Sequence, residues 1–117
     1  MRYGPAPYRS GMLAIVIDRP GGYERLVLRS LPPRPVPAGH VRVAVEACGV
    51  NYADCIVRMG LYSSAKEYVG WPITPGFEVA GHVDAVGEGV TRHRVGDRVI
   101  GLTRFGGYAS SIVVPEY

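Results

Sequence analysis

The stretch HVRVAVEAC, residues 40–48, carries Val41, Val43, Val45 and Ala47 at every second position, with mostly polar residues between them. A period of two is typical of a strand that buries one face. Residues 77–86, FEVAGHVDAV, alternate in the same way and end at a Gly-Glu-Gly turn signal. Both segments therefore predict half-buried strands.

The rest of the chain extends this pattern in short pieces. Residues 51–59 lose the alternation and predict one short helix that ends at Gly60. The same criteria predict further strands over 12–18, 23–29 (a hairpin partner of the first), 95–101 (after a turn) and 108–114. Six or seven short strands and one helix predict a mainly β fold, a small, partly open barrel or sandwich.

Length and composition set the limits of the fold. The chain has 117 residues, of which 47% are hydrophobic and 20% charged, which fits one globular domain. We predict a flexible arm over residues 1–11 and a single domain over 12–117. The 16 glycines and 10 prolines favour short strands and turns over long helices.

The charge and cysteine patterns exclude several classes of function. The net charge of +3 is spread along the chain, so no nucleic-acid partner is predicted. Cys48 and Cys55 do not have the spacing of a disulfide framework or metal knuckle, and we predict reduced, mostly buried thiols. The sequence contains no apolar window of about 18 residues, so no membrane span is predicted. A soluble, cytoplasmic protein is expected.

Five motifs, in fixed order, carry a resemblance to a known family. They are GVNYAD (49–54), GLY (60–62), PGFEVAG (75–81), VGEGV (86–90) and VGDRV (95–99). In this order they resemble the N-terminal, GroES-like catalytic domain of zinc-independent quinone oxidoreductases, in the medium-chain dehydrogenase/reductase superfamily. The motifs are similar to those of its synaptic-vesicle membrane-protein branch as well. The resemblance covers roughly residues 12–117 and implies a GroES-like barrel.

The resemblance also implies that no zinc is bound. Zinc-dependent members carry a Cys and a His at the positions that hold Asn51 and Phe77 here. Catalytic zinc needs about three protein ligands, and a phenyl ring provides none. The four-cysteine structural lobe of those members is also missing, because the chain has two cysteines.

Two neighbouring residues are the candidate catalytic pair. The amide of Asn51 can donate a hydrogen bond to a substrate or cofactor, or the residue can simply cap the helix. Tyr52 can polarise a carbonyl with its hydroxyl, or it can be a packed aromatic residue. The resemblance implies that Asn51 lines the nicotinamide and substrate pocket, and we assign Ile56 to the cofactor side with it.

Other residues are candidates for walls or structural supports. Tyr62, Trp71 and Phe77 are assigned to the substrate pocket, with core packing as the alternative, and residues 62–71 to substrate selection. The predicted structural residues are Asp54 (local hydrogen bonds or pairing with Arg58), Glu78 (paired with an arginine), Gly81 and Gly96 (close approach or positive φ) and Asp97.

No glycine-rich strand-to-helix turn of the dinucleotide-binding type occurs, so a Rossmann domain is absent from this chain. The chain is therefore interpreted as truncated before such a domain. The resemblance implies that the longer enzyme, as a homodimer, uses NADPH to reduce a quinone or α,β-unsaturated carbonyl. The 117 residues alone are predicted to be inactive.

Three alternative functions stay open. An enoyl reductase of polyketide or fatty-acid synthesis uses the same fold on a thioester-linked enone. A non-enzymatic scaffold would be expected if the protein followed the synaptic-vesicle branch. A co-chaperonin-like oligomer is suggested by the barrel type only, and fold analogy does not establish function.

Overall fold

The computed structural model describes residues 11–62 and 70–117. They form six strands in two antiparallel sheets, with one α-helix. The elements are β1 (Met12–Val16), β2 (Val27–Leu31), β3 (His40–Cys48), α1 (Tyr52–Arg58), β4 (Glu78–Val86), β5 (Arg98–Leu102) and β6 (Ser111–Pro115). The predicted mainly β class with a short helix is confirmed. Of the predicted arm, only Gly11 lies within the described residues.

The larger sheet has the strand order β5-β4-β3-β6, and the smaller one pairs β1 with β2. The sheets meet through backbone hydrogen bonds, with the N–H of Ile15 donating to Tyr108 O (2.9 Å) and that of Ser110 donating to Leu13 O (2.8 Å). The regular pairing of β6 with β3 begins only at Ser111, later than the predicted start at 108, because Tyr108 bonds to β1 and Ser110 bonds to both β1 and β3.

Alternation along β3 and β4 generates the main core. The buried side chains in this cluster are Val41, Val43, Val79, Val83, Ile112 and Val114. The alternation weakens towards the end of β3, where Ala47 is exposed and the register with β4 shifts between Val45 and Ala47. The shift is that of a β-bulge, which bends the end of β3 away from regular pairing with β4.

The predicted hairpin over 12–29 is right in pairing and wrong in detail. β1 and β2 pair antiparallel, with Val16 opposite Val27. Tyr23–Arg25 forms a single 3-10 turn instead of a strand, because Arg25 N–H donates to Gly22 O and Leu26 N–H to Tyr23 O. β1 also ends early, since Ile17 exchanges hydrogen bonds with Ile73 rather than with β2.

Three predicted supports shape the larger sheet. A side chain at Gly81 would overlap the carbonyl oxygen of Ala44 on β3, so this position requires close backbone approach. Gly96 has φ +97°, which L side chains rarely adopt. Asp97 accepts a hydrogen bond from Arg94 N–H (2.9 Å) and closes the turn that begins β5.

Among the described residues, no helix has the length and apolarity needed to cross a membrane.

Candidate functional site

The N-terminus of α1 emerges directly from the end of β3. Asn51 is the N-cap, with extended backbone angles (φ −121°, ψ 152°), and its C=O accepts the first helical bond from Asp54 N–H (3.0 Å). Asp54 returns the contact, because its Oδ2 accepts the Asn51 N–H at 2.8 Å. The contact of the Asp54 side chain with the N-cap N–H is the N3 half of a capping box, and it fixes the entry of the chain into the helix.

The Asn51 side chain faces Glu78 at the start of β4. Its Nδ2 donates to Glu78 Oε1 at 3.5 Å, a long hydrogen bond. Because a carboxylate only accepts hydrogen bonds, the amide nitrogen faces Glu78 and keeps a second N–H for another acceptor. The prediction of an arginine partner for Glu78 is wrong for the described residues: the carboxylate is exposed and accepts its side-chain hydrogen bond from the Asn51 amide.

Asp54 is buried beneath this corner, with 5% of its surface exposed. Its Oδ2 also accepts the Tyr108 hydroxyl at 2.6 Å, while Oδ1 is buried and has no hydrogen-bond partner among residues 11–62 and 70–117. The alternative pairing of Asp54 with Arg58 is wrong. Arg58 donates to Gly21 O (2.6 Å) and lies 4.7 Å from the centre of the Tyr23 ring.

Tyr108 is the residue at this site that sequence reasoning missed. It lies 54 positions from Asp54, so no local pattern could connect the two residues. A usable signal was Asp54 itself, because a carboxylate inside a helix flanked by apolar residues needs a donor from elsewhere when it is buried. Tyrosine hydroxyls that become buried usually provide such a bond.

The Tyr108 contact predicts a specific alkaline response. Burial first, and then the hydrogen bond and charge of Asp54, raise the pKa of Tyr108 well above the ordinary value of about 10. A raised pKa favours the neutral, folded form, so this stabilisation is complete below about pH 10 and declines as the pH rises from there. We expect the free energy of unfolding of wild type to exceed that of Tyr108→Phe at pH 8, with a gap that narrows above pH 10. Urea unfolding at several pH values measures this gap, and a gap independent of pH would contradict it.

Tyr52 and Ile56 are one helical turn apart on α1 and differ in exposure. The ring of Tyr52 is 79% exposed, so its hydroxyl is available to a ligand and the alternative of a packed ring is wrong. Ile56 is half-buried. Its assignment to the cofactor stays a prediction.

The three predicted pocket residues come together, but mainly with each other. Tyr62 and Phe77 have ring centroids 5.8 Å apart, and Phe105 joins them at 6.1 and 5.6 Å. With Trp71 these rings pack against buried Val57 and Ile73 under α1, and each stays half-buried. The cluster supports the helix, and its role towards a substrate stays a prediction. Residues 63–69 of the predicted selection loop lie outside the described residues.

An apolar surface continues from the site along the neighbouring strand. Leu102 on β5 pairs with Glu78 and is 77% exposed, and Ile100 two residues earlier is 79% exposed. We call these two side chains the β5 shelf. Large exposed apolar side chains next to a polar corner are typical of surfaces that contact another structural unit.

The sulfur and metal chemistry of the described residues is limited. Both cysteines are free, as predicted, but Cys48 is exposed and Cys55 half-buried, which corrects the prediction of mostly buried thiols. Within residues 11–62 and 70–117, no three His, Cys, Asp or Glu side chains are placed to hold a metal ion together.

Comparison with known proteins places this geometry in a family. Residues 37–117 match the alcohol dehydrogenase GroES-like domain. The chain is 44% identical over 105 residues to the rat (Rattus norvegicus) synaptic vesicle membrane protein VAT-1 homolog, covering 87% of the chain and 25% of that protein. It is 42% identical over 108 residues to the quinone oxidoreductase of Lama guanicoe, covering 91% of the chain and 32% of that protein.

A solved structure shows the same relationship. The crystal structure of CurK enoyl reductase superposes with a TM-score of 0.82 at 30% identity, covering 90% of this chain and 33% of the other. The chain thus spans between a quarter and a third of the length of these relatives.

Proposed function

Because the chain belongs to the alcohol dehydrogenase GroES-like domain family, we propose that it forms the substrate-side domain of a reductase. The reaction is transfer of hydride from NADPH to a quinone or another α,β-unsaturated carbonyl compound. The observation that carries the proposal is the Asn51 amide, held towards Glu78 at the start of α1 beside the exposed Tyr52 hydroxyl. The likeness to the Lama guanicoe quinone oxidoreductase supports this choice of reaction.

The described residues fit only one end of NADPH. Every strand pair among them is antiparallel, so they contain no parallel β-α-β unit of the kind that holds a dinucleotide diphosphate. Asn51 and Tyr52 provide an amide and a hydroxyl, which match the carboxamide of a nicotinamide ring or a substrate oxygen. We therefore assign the nucleotide end to a second domain and propose that this domain covers the β5 shelf.

When bound, NADPH supplies the hydride. The chain's own part is to hold the substrate and stabilise charge on its oxygen. The second Asn51 Nδ2 hydrogen and the Tyr52 hydroxyl are donors that can face a carbonyl oxygen as it becomes negative. Donors fixed in advance stabilise such charge without reorganising during the reaction. We propose that these hydrogen bonds act without zinc, since Asn51 and Phe77 occupy the positions of the zinc ligands in zinc-dependent members.

A hybrid enzyme tests the proposal. In this hybrid the chain replaces the matching segment of the Lama guanicoe quinone oxidoreductase, and oxidation of NADPH is followed with a free quinone and with a simple enone as acceptors. We expect turnover by the hybrid and none by the isolated chain. A hybrid that folds and binds NADPH but reduces neither acceptor would contradict the proposal.

The likeness to CurK enoyl reductase favours a second candidate, reduction of an enone carried on a thioester. Both reactions place negative charge on a carbonyl oxygen, so the donors at Asn51 and Tyr52 serve either one. The acceptors discriminate between them: an enoyl reductase uses an acyl-thioester enone at a higher kcat/KM than a free quinone, and a quinone reductase does the reverse.

A further inference from the structure

We propose that Tyr108 is a positioning residue of the candidate site, and that its hydroxyl, acting through Asp54, fixes the backbone of Asn51 from which the side-chain amide extends. The importance of Asn51 for turnover rests on the proposed function. The effect of Tyr108 on Asn51 rests only on contacts within this chain.

The first link is a shared acceptor. Asp54 Oδ2 receives both the Tyr108 hydroxyl (2.6 Å) and the backbone N–H of Asn51 (2.8 Å). The other oxygen, Oδ1, is buried, and no residue in the described part of the chain bonds to it. The orientation of this carboxylate therefore depends on two donors, one of which belongs to Asn51 itself. Removing the hydroxyl takes one hydrogen bond from a buried carboxylate, and the loss destabilises the position in which Asp54 accepts the Asn51 N–H.

The second link runs through the backbone of Tyr108. Its N–H donates to Pro75 O (2.8 Å), and the preceding Gly107 N–H donates to Gly76 O (3.1 Å). Gly76 has φ +109°, and a side chain there would approach Tyr108 N to 2.7 Å. Tyr108 therefore packs against the turn that leads into Glu78, so one residue contacts both segments that meet at the Asn51 to Glu78 hydrogen bond.

Tyr108 acts as a hydrogen-bond donor and not as a source of protons. Its pKa lies well above the ordinary value because of burial and the Asp54 carboxylate. The hydroxyl therefore stays protonated throughout the neutral range, and its bond to Asp54 persists. Asn51 and Tyr52 remain the groups that contact a ligand.

Hydrogen exchange of the isotopically labelled 117-residue chain tests the proposal without any activity. We expect Tyr108→Phe to accelerate exchange of the Asn51 backbone amide about tenfold more than exchange of the Val43 amide in the core. The control Tyr117→Phe removes a hydroxyl from a residue that is 91% exposed and leaves both amides unchanged. A merely stabilising role of Tyr108 accelerates both amides by the same factor, and this result would overturn the proposal.

Two further arms keep the test decisive. If Tyr108→Phe does not fold, Asp54→Asn keeps the shape of the side chain but replaces a charged acceptor with a neutral one, which weakens both hydrogen bonds, and it is expected to accelerate exchange selectively at Asn51. In the hybrid enzyme, Tyr108→Phe is expected to lower kcat with little change in NADPH affinity. If exchange in the chain is accelerated selectively at Asn51 but the hybrid shows no turnover, the proposed function is contradicted and the positioning role is supported. If Tyr108→Phe accelerates exchange at Asn51 and Val43 by the same factor and the hybrid is active, the positioning role is contradicted and the proposed function is supported.

Discussion

Replacing Asn51 by Ala is expected to lower kcat of the hybrid enzyme about 100-fold, because one fixed donor to a developing negative charge contributes a factor of this size. The amide donates one N–H to Glu78 Oε1 at 3.5 Å at the start of α1, so its second N–H remains for a ligand. Steady-state kinetics with NADPH and a quinone measure the effect. Wild-type kcat in the Ala variant would contradict the role assigned to Asn51.

The variant Asn51→Asp separates chemistry from capping. Asp is as good an N-cap as Asn, whereas Ala costs about 1 kcal/mol at this position. The Asp side chain has no N–H to donate, and it places a second carboxylate beside Glu78. We therefore expect kcat to fall in both variants. A fall in Asn51→Ala with wild-type kcat in Asn51→Asp would identify Asn51 as a helix cap only.

Gly81→Ala is expected to destabilise the chain by about 3 kcal/mol, because the added methyl group would overlap the Ala44 carbonyl oxygen on the adjacent strand. Gly81 is buried at the centre of the β3–β4 ladder, opposite Val45, so relief requires the two strands to separate. For a domain of this size the melting temperature falls by more than about 10 °C. Thermal unfolding followed by circular dichroism measures it.

Gly101→Ala is the matched control. Gly101 is also buried in a strand of the same sheet, but a methyl group there meets only the Val79 side chain, at 3.1 Å. A side chain can shift where a carbonyl oxygen cannot, so we expect a cost within about 1 kcal/mol. Equal melting temperatures for the two variants would contradict the prediction that the close approach of β3 at Gly81 excludes a side chain.

Local sequence patterns predict the elements whose conformation depends on residues close in sequence. The bounds of β3, His40–Cys48, coincide with the alternating stretch because burial of one strand face imposes that period. The pairing of the hairpin strands is predicted correctly, but the 3-10 turn at Tyr23–Arg25 is not.

The candidate site was predictable only in part, because its contacts join distant segments. Asn51 and Asp54 are adjacent in the helix pattern, and their capping interaction follows from spacing. The partners of Glu78 and Asp54 lie 27 and 54 positions away, at Asn51 and Tyr108. Which side chain meets a carboxylate across such distances is decided by sheet topology, and the sequence pattern does not encode it directly.

Binding of NADPH to the isolated chain and to the hybrid, measured in parallel by calorimetry, tests the central claim most directly. The claim is that this chain supplies the substrate-side donors and that a second domain holds the nucleotide. We predict no measurable binding by the chain and clear binding by the hybrid. Tight binding by the isolated chain, or none by a folded hybrid, would contradict the account, and the second result would favour a non-enzymatic scaffold.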